Sequence, residues 1–395
     1  MNREKLLLFT LALVQFTHII DFMIIMPLGK QFMEIFDISP QQFSWIVACY
    51  AFSAFLTGIL SAMFIDRFDR KKALLFVYVG FTIGTFCCAA ADSYYLFLAA
   101  RSLTGAFGGV LGALVFAIVA DAVPYERRAS AMGIVMTAFS VASVVGVPAG
   151  IYLAATFNWR APFLVTALVS TVVALLIWRS TPSLTGHLDG QANTSNSLGN
   201  LVRIGTDANQ VTALLFTLIL ILGHFTIIPF IAPYMQLNIG FSDYEVTFIY
   251  LIGGILSAFL LPLVGKLADR FGNIHIFTLA SIGALFSIFA ITNLPVVTKV
   301  IALCVTSSFF IVASGRSVPA MTMVTAVVKP EQRGSFMSIR SSINELGLAL
   351  SSFIAGLIVV EQPNGNLANY QYVGYIAIFM SVVAVLFARR LRVIN

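Results

Sequence analysis

Twelve long apolar runs, separated by short polar segments, most constrain what this chain of 395 residues can fold into. A helix that crosses a membrane needs about 20 apolar residues, and the runs are of that length. A β-barrel strand would be about half as long and would alternate apolar with polar residues, which these runs do not do. Since only helices and closed barrels satisfy their backbone groups in lipid, we predict twelve membrane-spanning helices, at about 6–28, 43–65, 73–91, 94–120, 130–155, 161–178, 210–234, 244–265, 275–293, 298–327, 335–360 and 372–388.

The composition predicts the same fold class, an all-α integral membrane protein. Hydrophobic residues make up 59% of the chain and charged residues 10%, and the mean hydropathy is +0.94. A soluble domain carries about 25% charged residues. So few charges cannot cover a water-facing surface, which argues against a soluble enzyme. The first run has no small-residue cleavage site after it, so we interpret it as a span and not as a signal peptide.

The basic residues fall on alternate connecting segments. The net charge is +6, and with a cytoplasmic N-terminus 17 of the 23 Lys and Arg residues fall on the cytoplasmic side. Three of the rest lie on the other side of the membrane, namely Lys30, Arg160 and Lys299. The last three lie within spans, namely Arg101, Arg316 and Arg340. Cytoplasmic loops carry such an excess, so we place both termini in the cytoplasm. We expect a multi-pass protein of the plasma membrane, here the inner membrane of a bacterium. A nucleic-acid-binding protein would instead gather its charges on one solvated face, and we expect no nucleic-acid partner.

No pattern in the sequence predicts a metal site or a cofactor. The four cysteines, Cys49, Cys87, Cys88 and Cys304, lie in apolar stretches without metal-ligand spacing. Small apolar packing residues are the favoured interpretation of them. A membrane-embedded enzyme would also need a nucleophile with a neighbouring base, and we find no such constellation. We therefore expect no cofactor and no catalytic residue.

The chain repeats itself in two halves. A polar stretch rich in Gly, Ser, Thr and Asn, 179–209, divides the spans six and six, and its composition is typical of a linker. Three elements recur at offsets of 203, 205 and 206: Asp66-Arg67-Phe68 with Asp269-Arg270-Phe271, the pattern Glu-x-Arg-x-Ser-x-Met from Glu126 and from Glu331, and His18 with His224. Such offsets indicate parallel halves related by an axis along the membrane normal. We predict two six-helix bundles, 1–178 and 210–395, joined by a cytoplasmic linker.

The segment after the second predicted span carries a recognisable motif. The pattern Gly-x-x-x-Asp-Arg-x-Gly-Arg-Lys is matched at Asp66, Arg67, Arg70 and Lys71, with Ala62 and Asp69 in place of its glycines, and a second copy matches at Gly265, Asp269, Arg270 and Gly272. Over its whole length the chain thus resembles a transporter of the major facilitator superfamily. The resemblance implies two pseudo-symmetric six-helix bundles that admit a small-molecule substrate alternately from each side. We expect a monomer whose partners are this substrate, protons and membrane lipids.

Three further elements narrow the resemblance. Arg101-Ser-Leu-Thr-Gly105 resembles an Arg-x-x-x-Gly element of proton-linked members, and Gly146-Val-Pro-Ala-Gly150 resembles the antiporter signature, although Ala142 stands where that signature has another glycine. Gly223-His-Phe-Thr226, with Pro233, is similar to the sugar-efflux and drug:proton antiporter group. The resemblance implies proton-coupled export of a small organic solute. The alternatives are a facilitator or proton-symport importer on the same fold and, further removed, a membrane sensor that transports nothing.

Asp21, the carboxylate of the first predicted span, is our candidate for carrying the proton. It lies about 24 Å from Lys5 along a helix that rises 1.5 Å per residue, at a depth where an unpaired charge is costly. His18 is one turn away on the same face and could shuttle protons, although packing is the favoured role for His18 and His224. Arg101 cannot release its charge, so it would bias Asp21 or hold an anionic group. A fixed ion pair between Asp21 and Arg101 is the structural alternative.

The second half carries further charges within its spans. Arg316 and Glu345 fall near the middle of the bilayer by the same helical rise, and we predict that they pair, with contact to substrate as the alternative. Arg340 is shallower and can extend its charged end to the cytoplasmic interface. With Arg101 and His224, these are the predicted substrate-cavity or charge-tuning residues.

The motif loops are predicted to control the cytoplasmic opening. Acidic and basic side chains there can bind helix ends, and such contacts would hold the cytoplasmic side shut. Asp69 in place of glycine argues against the tight turn of the usual motif. The predicted gating residues are Asp66, Arg67 and Arg70 in the first copy and Asp269 and Arg270 in the second.

The fifth predicted span carries a separate conformational element. Gly146 and Gly150 remove side chains and Pro148 removes a backbone donor, so the helix should be distorted there. The distortion would serve as a hinge or as a close contact between the two halves, and we favour the contact.

Overall fold

The structure, a computed structural model, describes residues 3–61, 65–185, 204–328 and 333–392. Within these ranges, twelve helical segments are long and apolar enough to cross a membrane, and they fall on the twelve predicted runs. The predicted fold class is therefore confirmed. Many large apolar side chains are exposed, among them Phe76, Phe259 and Phe286, at 72%, 79% and 74%. Exposed apolar surface on this scale is typical of a protein solvated by lipid.

In the described ranges, the helices of the first half are α1 (Arg3–Met23), α2 (Gly29–Phe36), α3 (Pro40–Ser61), α4 (Arg70–Ala90), α5 (Tyr94–Ala122), α6 (Tyr125–Val141), α7 (Val147–Thr156) and α8 (Ala161–Ser180). Those of the second half are α9 (Ala208–Phe225), α10 (Ile228–Leu237), α11 (Asp243–Phe271), α12 (Asn273–Thr292), α13 (Lys299–Thr325), α14 (Arg333–Ile358) and α15 (Tyr370–Ala388). A 3-10 turn, Ile65–Arg67, precedes α4. Before α15, strands β1 (Val360–Glu361) and β2 (Leu367–Ala368) form an antiparallel hairpin that pairs Val360 with Ala368.

Polar side chains fix several helix starts. Ser93 caps α5, Asp207 caps α9, and Ser242 with Glu245 forms a capping box at α11. Each of these side chains accepts from main-chain N–H groups that have no partner within the helix. The caps therefore mark where the chain leaves a polar connection and enters an apolar helix.

Two of the predicted spans are interrupted. In the fifth, a π-helical turn, Ala142–Gly146, lies between α6 and α7, and Pro148 stands in the first turn of α7. In the seventh, α9 ends before α10 begins, and α10 has Pro229 in its first turn and Pro233 in its interior. Proline lacks the N–H of a regular helical bond and clashes with the preceding turn, so irregular turns are expected beside it. The distortion predicted for the fifth span is present as the π turn.

Contacts divide the chain into two compact units, each with its own core. The first comprises Met1–Ile24 and Cys49–Leu201, and the second comprises Ile25–Ala48 and Val202–Asn395. The core of the first includes Leu11, Phe81 and Leu111, and that of the second includes Phe216, Phe277 and Val324. Of the predicted linker, 186–203 lies outside the described residues, and the predicted domain bounds stay a prediction.

Candidate functional site

Asp21 of α1 and Arg101 of α5 form an ion pair inside the first unit. Arg101 Nη1 lies 2.6 Å from Asp21 Oδ2, and both side chains are 0% exposed. The same nitrogen approaches the main-chain carbonyl oxygen of Asp21 at 3.4 Å. Removing two charges from water is expensive, and close geometry is needed to offset it. The structure thus joins two residues that the sequence singled out separately.

Two side chains that the sequence did not single out complete this charged site. Thr85 Oγ1 of α4 donates to Asp21 Oδ1 at 3.2 Å. The guanidinium carbon of Arg101 lies 4.3 Å from the centre of the Tyr50 ring of α3, within the range of cation–π attraction. Among the described residues, Nε and Nη2 of Arg101 have no hydrogen-bond partner. Two nitrogens of the guanidinium, with three N–H groups between them, are therefore left without an acceptor among the described residues.

The glycines of α5 determine how the ion pair is packed. A Cβ atom at Gly105 would overlap the main chain of Tyr50. A Cβ atom at Gly108 would meet the Tyr50 hydroxyl and the His18 ring. Because these side chains are absent, α5 approaches α3 closely, and Tyr50 comes to lie against the guanidinium of Arg101. The Arg-x-x-x-Gly element thus links the charged residue to its packing partner.

Gly105→Ala is expected to force α5 away from α3, because the new Cβ cannot coexist with the Tyr50 main chain. Overpacking of this kind costs about 1–3 kcal/mol, so the melting temperature should fall. Gly112→Ala, on the same helix, is the matched control, because a Cβ atom there meets nothing within 4 Å. Alanine also favours a helix over glycine by about 0.5–1 kcal/mol. Both variants gain this free energy, so the difference between their melting temperatures reports the overlap at position 105. Equal melting temperatures for the two variants in the same detergent would contradict this account.

His18 lies beside the ion pair and packs among aromatic rings. Its ring centre is 5.9 Å from that of Phe81 and 6.5 Å from that of Tyr50. These contacts agree with the packing role that we favoured. Its part in proton transfer stays a prediction.

Arg316 of α13 is a buried cation of the second unit, at 0% exposure. Its Nη1 donates to Ser381 Oγ of α15 at 2.9 Å, and that hydroxyl donates to the carbonyl of Gly223 in α9 at 3.2 Å. Within the described ranges, Nε and Nη2 of Arg316 have no hydrogen-bond partner. The predicted pair with Glu345 is not formed, since the ion pairs of the described residues join other side chains. Ser381, which no sequence pattern pointed to, takes the place of the expected carboxylate.

The remaining candidates of the second unit lie on α9 and α14. His224 is 9% exposed and stacks on Phe225 with ring centres 4.9 Å apart. In the part of the chain that the structure describes, its Nδ1 has no hydrogen-bond partner, and neither has Nε of Arg340. Arg340 and Glu345 are both half-buried. Contact of these three residues with substrate stays a prediction.

Asp69, which replaces a glycine of the motif, holds the start of α4. Its carboxylate accepts from the main-chain N–H groups of Lys71 at 3.0 Å and Leu184 at 3.1 Å, and from the Ser183 hydroxyl at 2.7 Å. Partial burial acts to raise the pKa of Asp69, but these hydrogen bonds and the charge of Lys72 outweigh it, so the pKa lies below its ordinary value. Asp69 has φ −52°, which any residue adopts. The motif therefore does not need a glycine here.

The second copy of the motif differs at the equivalent position. Gly272 has φ +91°, in the left-handed region that favours glycine. The chain thus keeps the glycine where the backbone requires it. Asp269 and Arg270 lie at the end of α11, with the guanidinium carbon of Arg270 5.2 Å from the centre of the Phe271 ring.

The basic residues of the first copy have different surroundings. Arg67 is exposed, whereas Arg70 is buried and donates from Nε to Asp121 Oδ2 of α5 at 2.9 Å. Arg70 therefore binds a carboxylate, whereas the sequence predicted contacts with helix ends. The side chain of Asp66 lies outside the described residues, and the gating role of this loop stays a prediction.

Asp69→Ala is expected to destabilise the protein by about 1 kcal/mol, the usual cost of losing a helix cap, because its carboxylate accepts three hydrogen bonds. Asp69→Asn is the matched control, since its amide oxygen can still accept from Lys71. Folding lowers the pKa of Asp69, so the extra stability from its charge is present above the unfolded-state pKa and is lost as the pH falls through the folded-state pKa. The melting-temperature gap between wild type and Asp69→Asn should shrink in acid. An Asp69→Ala protein that melts with the wild type would refute the capping role.

The π turn and the start of α7 lie against α1. A Cβ atom at Gly146 would meet Ile20, and one at Gly150 would meet Ile24. These glycines let α7 approach the end of the helix that carries Asp21. Their predicted contact with the other half stays a prediction.

The chain matches one family of transporters along most of its length. The sequence profile of the Major Facilitator Superfamily matches residues 11–315 and 213–395. Inner membrane transport protein YdhP of Escherichia coli O157:H7 is 26% identical over 324 residues, which cover 82% of this chain and 81% of that protein. A probable sugar efflux transporter of Mannheimia succiniciproducens is 23% identical over 345 residues, 86% of this chain and 82% of that protein. A solved bacterial homologue of the human lysosomal transporter Spinster, inward-facing and occupied, has a TM-score of 0.78 over 97% of this chain and 96% of its own, at 18% identity, and shares the fold.

Proposed function

Since the chain belongs to the major facilitator superfamily, we propose that it is a proton-coupled exporter of a small organic solute, with Asp21 as the group that carries the proton. Membership makes it a multi-pass membrane transporter and not an enzyme. The observation that carries the proposal is the ion pair of Asp21 with Arg101, in which both side chains are 0% exposed. A carboxylate held in that way is the kind of group whose protonation changes the energy of a conformation.

Protonation of Asp21 would remove the charge that neutralises Arg101. Because Arg101 keeps its own charge, the site would alternate between neutral and singly positive. A positive site sealed from water is costly, so the protonated protein would favour a conformation in which the guanidinium reaches water or an anion. Proton binding would thus shift the balance between two states, which coupling to a second ligand requires. Thr85 would hold the carboxylate in place when it is charged.

Export rather than import is favoured by two observations. The segment from Gly146 to Gly150 resembles the antiporter signature, and a relative that spans 86% of this chain is named a probable sugar efflux transporter. The protein would be a monomer in the inner membrane of a bacterium, with both termini in the cytoplasm. It would take its solute from the cytoplasm and bring a proton into the cytoplasm in exchange. Sugars are the first solutes to test, and the 35 Phe residues make aromatic compounds the second.

The test is accumulation of solute in proteoliposomes under an imposed pH gradient. The solute is first found by screening compounds for a rise in the melting temperature of the purified protein. An antiporter accumulates it in liposomes that are acidic inside, a symporter in liposomes that are acidic outside, and a facilitator in neither. Accumulation only with acid outside would replace the proposal with the importer, and none under either gradient would replace it with the facilitator.

A further inference from the structure

A crevice runs between α12 and α15 in the second unit. It has a volume of about 430 Å³ and is lined by Ile274, His275, Thr278, Leu279, Ile282 and Arg389. A second hollow of about 210 Å³ shares Thr278, Ile282 and Arg389 with it and extends to Ser281 and Ser381. No part of this crevice belongs to the site around Asp21 and Arg101.

The crevice is basic at one end and apolar along its length. Arg389 follows the last residue of α15 and His275 lies in the first turn of α12, and both are exposed. Further along, Leu279 and Leu386 are 67% and 56% exposed. Exposed leucines on membrane-spanning helices belong to a surface that meets lipid. A basic pocket between such helices at the end of a span is suited to an anionic lipid headgroup.

Ser281 adds a polar group inside the crevice. It is 2% exposed, and among the described residues its Oγ has no hydrogen-bond partner. The neighbouring Thr278 is different, because its hydroxyl donates to the Ile274 carbonyl one turn back at 2.7 Å. A buried hydroxyl without an acceptor is costly, and Ser281 lines the wall of the second hollow. The occupant should therefore bring an acceptor about 9 Å along the helix from His275, at 1.5 Å per residue.

We propose that this crevice binds one anionic phospholipid. Its phosphate lies against Arg389 and His275, an ester carbonyl accepts from Ser281, and an acyl chain follows Ile282 and Leu285, which line the hollow beyond Ser281. The three parts of a phospholipid thus match the charge, the buried donor and the apolar groove in the order in which they occur. The lipid also reaches Ser381, the hydroxyl that binds the buried Arg316 guanidinium. It would therefore contact the residue that fixes the cation of the second unit.

Native mass spectrometry of the full-length protein tests this proposal. The detergent-purified protein is incubated with phosphatidylglycerol or phosphatidylcholine of identical acyl chains. Phosphatidylglycerol should bind more tightly, and Arg389→Gln should weaken its binding about fivefold, the contribution of one basic side chain near an anionic lipid surface. Arg390→Gln is the matched control, because Arg390 is also exposed but does not line the crevice. Ser281→Ala should weaken both lipids, since both carry the ester carbonyl.

Competition with inorganic phosphate is the third measurement, because a free phosphate ion offers the same chemistry as the phosphate of a lipid headgroup. A phospholipid site needs the acyl chain, so millimolar phosphate should leave the phosphatidylglycerol adduct in place. Displacement by phosphate would instead identify an anion site. Equal binding of the two lipids, or equal losses in Arg389→Gln and Arg390→Gln, would overturn the proposal. Melting temperatures of the two arginine variants in lipid-free detergent should match the wild type, since both side chains are exposed.

Discussion

Proteoliposomes that contain Asp21→Asn are expected to lose accumulation of solute under a pH gradient, down to the background of empty liposomes. Asparagine has the size of the neutral acid and keeps an oxygen that accepts from Arg101, but it cannot take up or release a proton. The ring of Tyr50, 4.3 Å from the guanidinium carbon, still stabilises the cation. The variant should therefore purify folded, with a lowered melting temperature. Its binding of the solute should persist, because only the proton-dependent step is removed.

Two measurements separate loss of coupling from general damage. Exchange of labelled for unlabelled solute at equal pH on both sides should continue in Asp21→Asn, since it does not require a change of protonation. Asp92→Asn is the matched control, because Asp92 is an exposed carboxylate of the first unit that pairs with Arg160 at 2.6 Å. It should accumulate solute as the wild type does. If Asp21→Asn accumulates solute at the wild-type rate, Asp21 is a structural partner of Arg101 and the proposed coupling is wrong.

The depth of a residue in the membrane could be predicted from the sequence, but the neighbouring helix toward which its side chain points could not. Helical rise placed Arg316 and Glu345 at similar depth, and both lie on spanning helices. Whether they meet depends on how each helix is rotated and which helices are neighbours, and neither quantity follows from hydropathy. The structure turns Arg316 toward Ser381 of α15. Serine is common in apolar helices, so nothing in the sequence marked it as the partner.

The twelve spans could be predicted because lipid leaves a chain few ways to satisfy its backbone. The short helix α2 and the two interruptions depend on local packing, and the sequence predicted only the interruption of the fifth span, from Gly146, Pro148 and Gly150. For the charged site, the sequence did not show which helix would approach α5 at Gly105. Tyr50 and Thr85 were missed for that reason.

Arg101→Met should be the most destabilising single change at this site, by about 3–5 kcal/mol, because it leaves a carboxylate buried without its cation. The double variant with Asp21→Asn carries neither charge and should regain much of that stability. The energy of interaction is the difference between the effect of the double change and the sum of the two single changes. It is measured from melting or denaturant unfolding of four proteins in one detergent. Additive effects would mean that the two side chains do not stabilise each other.

The same cycle on Arg160 and Asp92 isolates the effect of burial. That pair has the same 2.6 Å separation of nitrogen and oxygen, but its side chains are 43% and 80% exposed, against 0% and 0% for Arg101 and Asp21. Exposed pairs contribute about 0.2–1 kcal/mol, because water already solvates each charge. The interaction energy should therefore be several times larger for Arg101 and Asp21, although the two distances are equal. Similar interaction energies in the two cycles would mean that water reaches Asp21 in the folded protein. A carboxylate in contact with water would gain too little interaction energy from Arg101 for its protonation to drive a change of conformation.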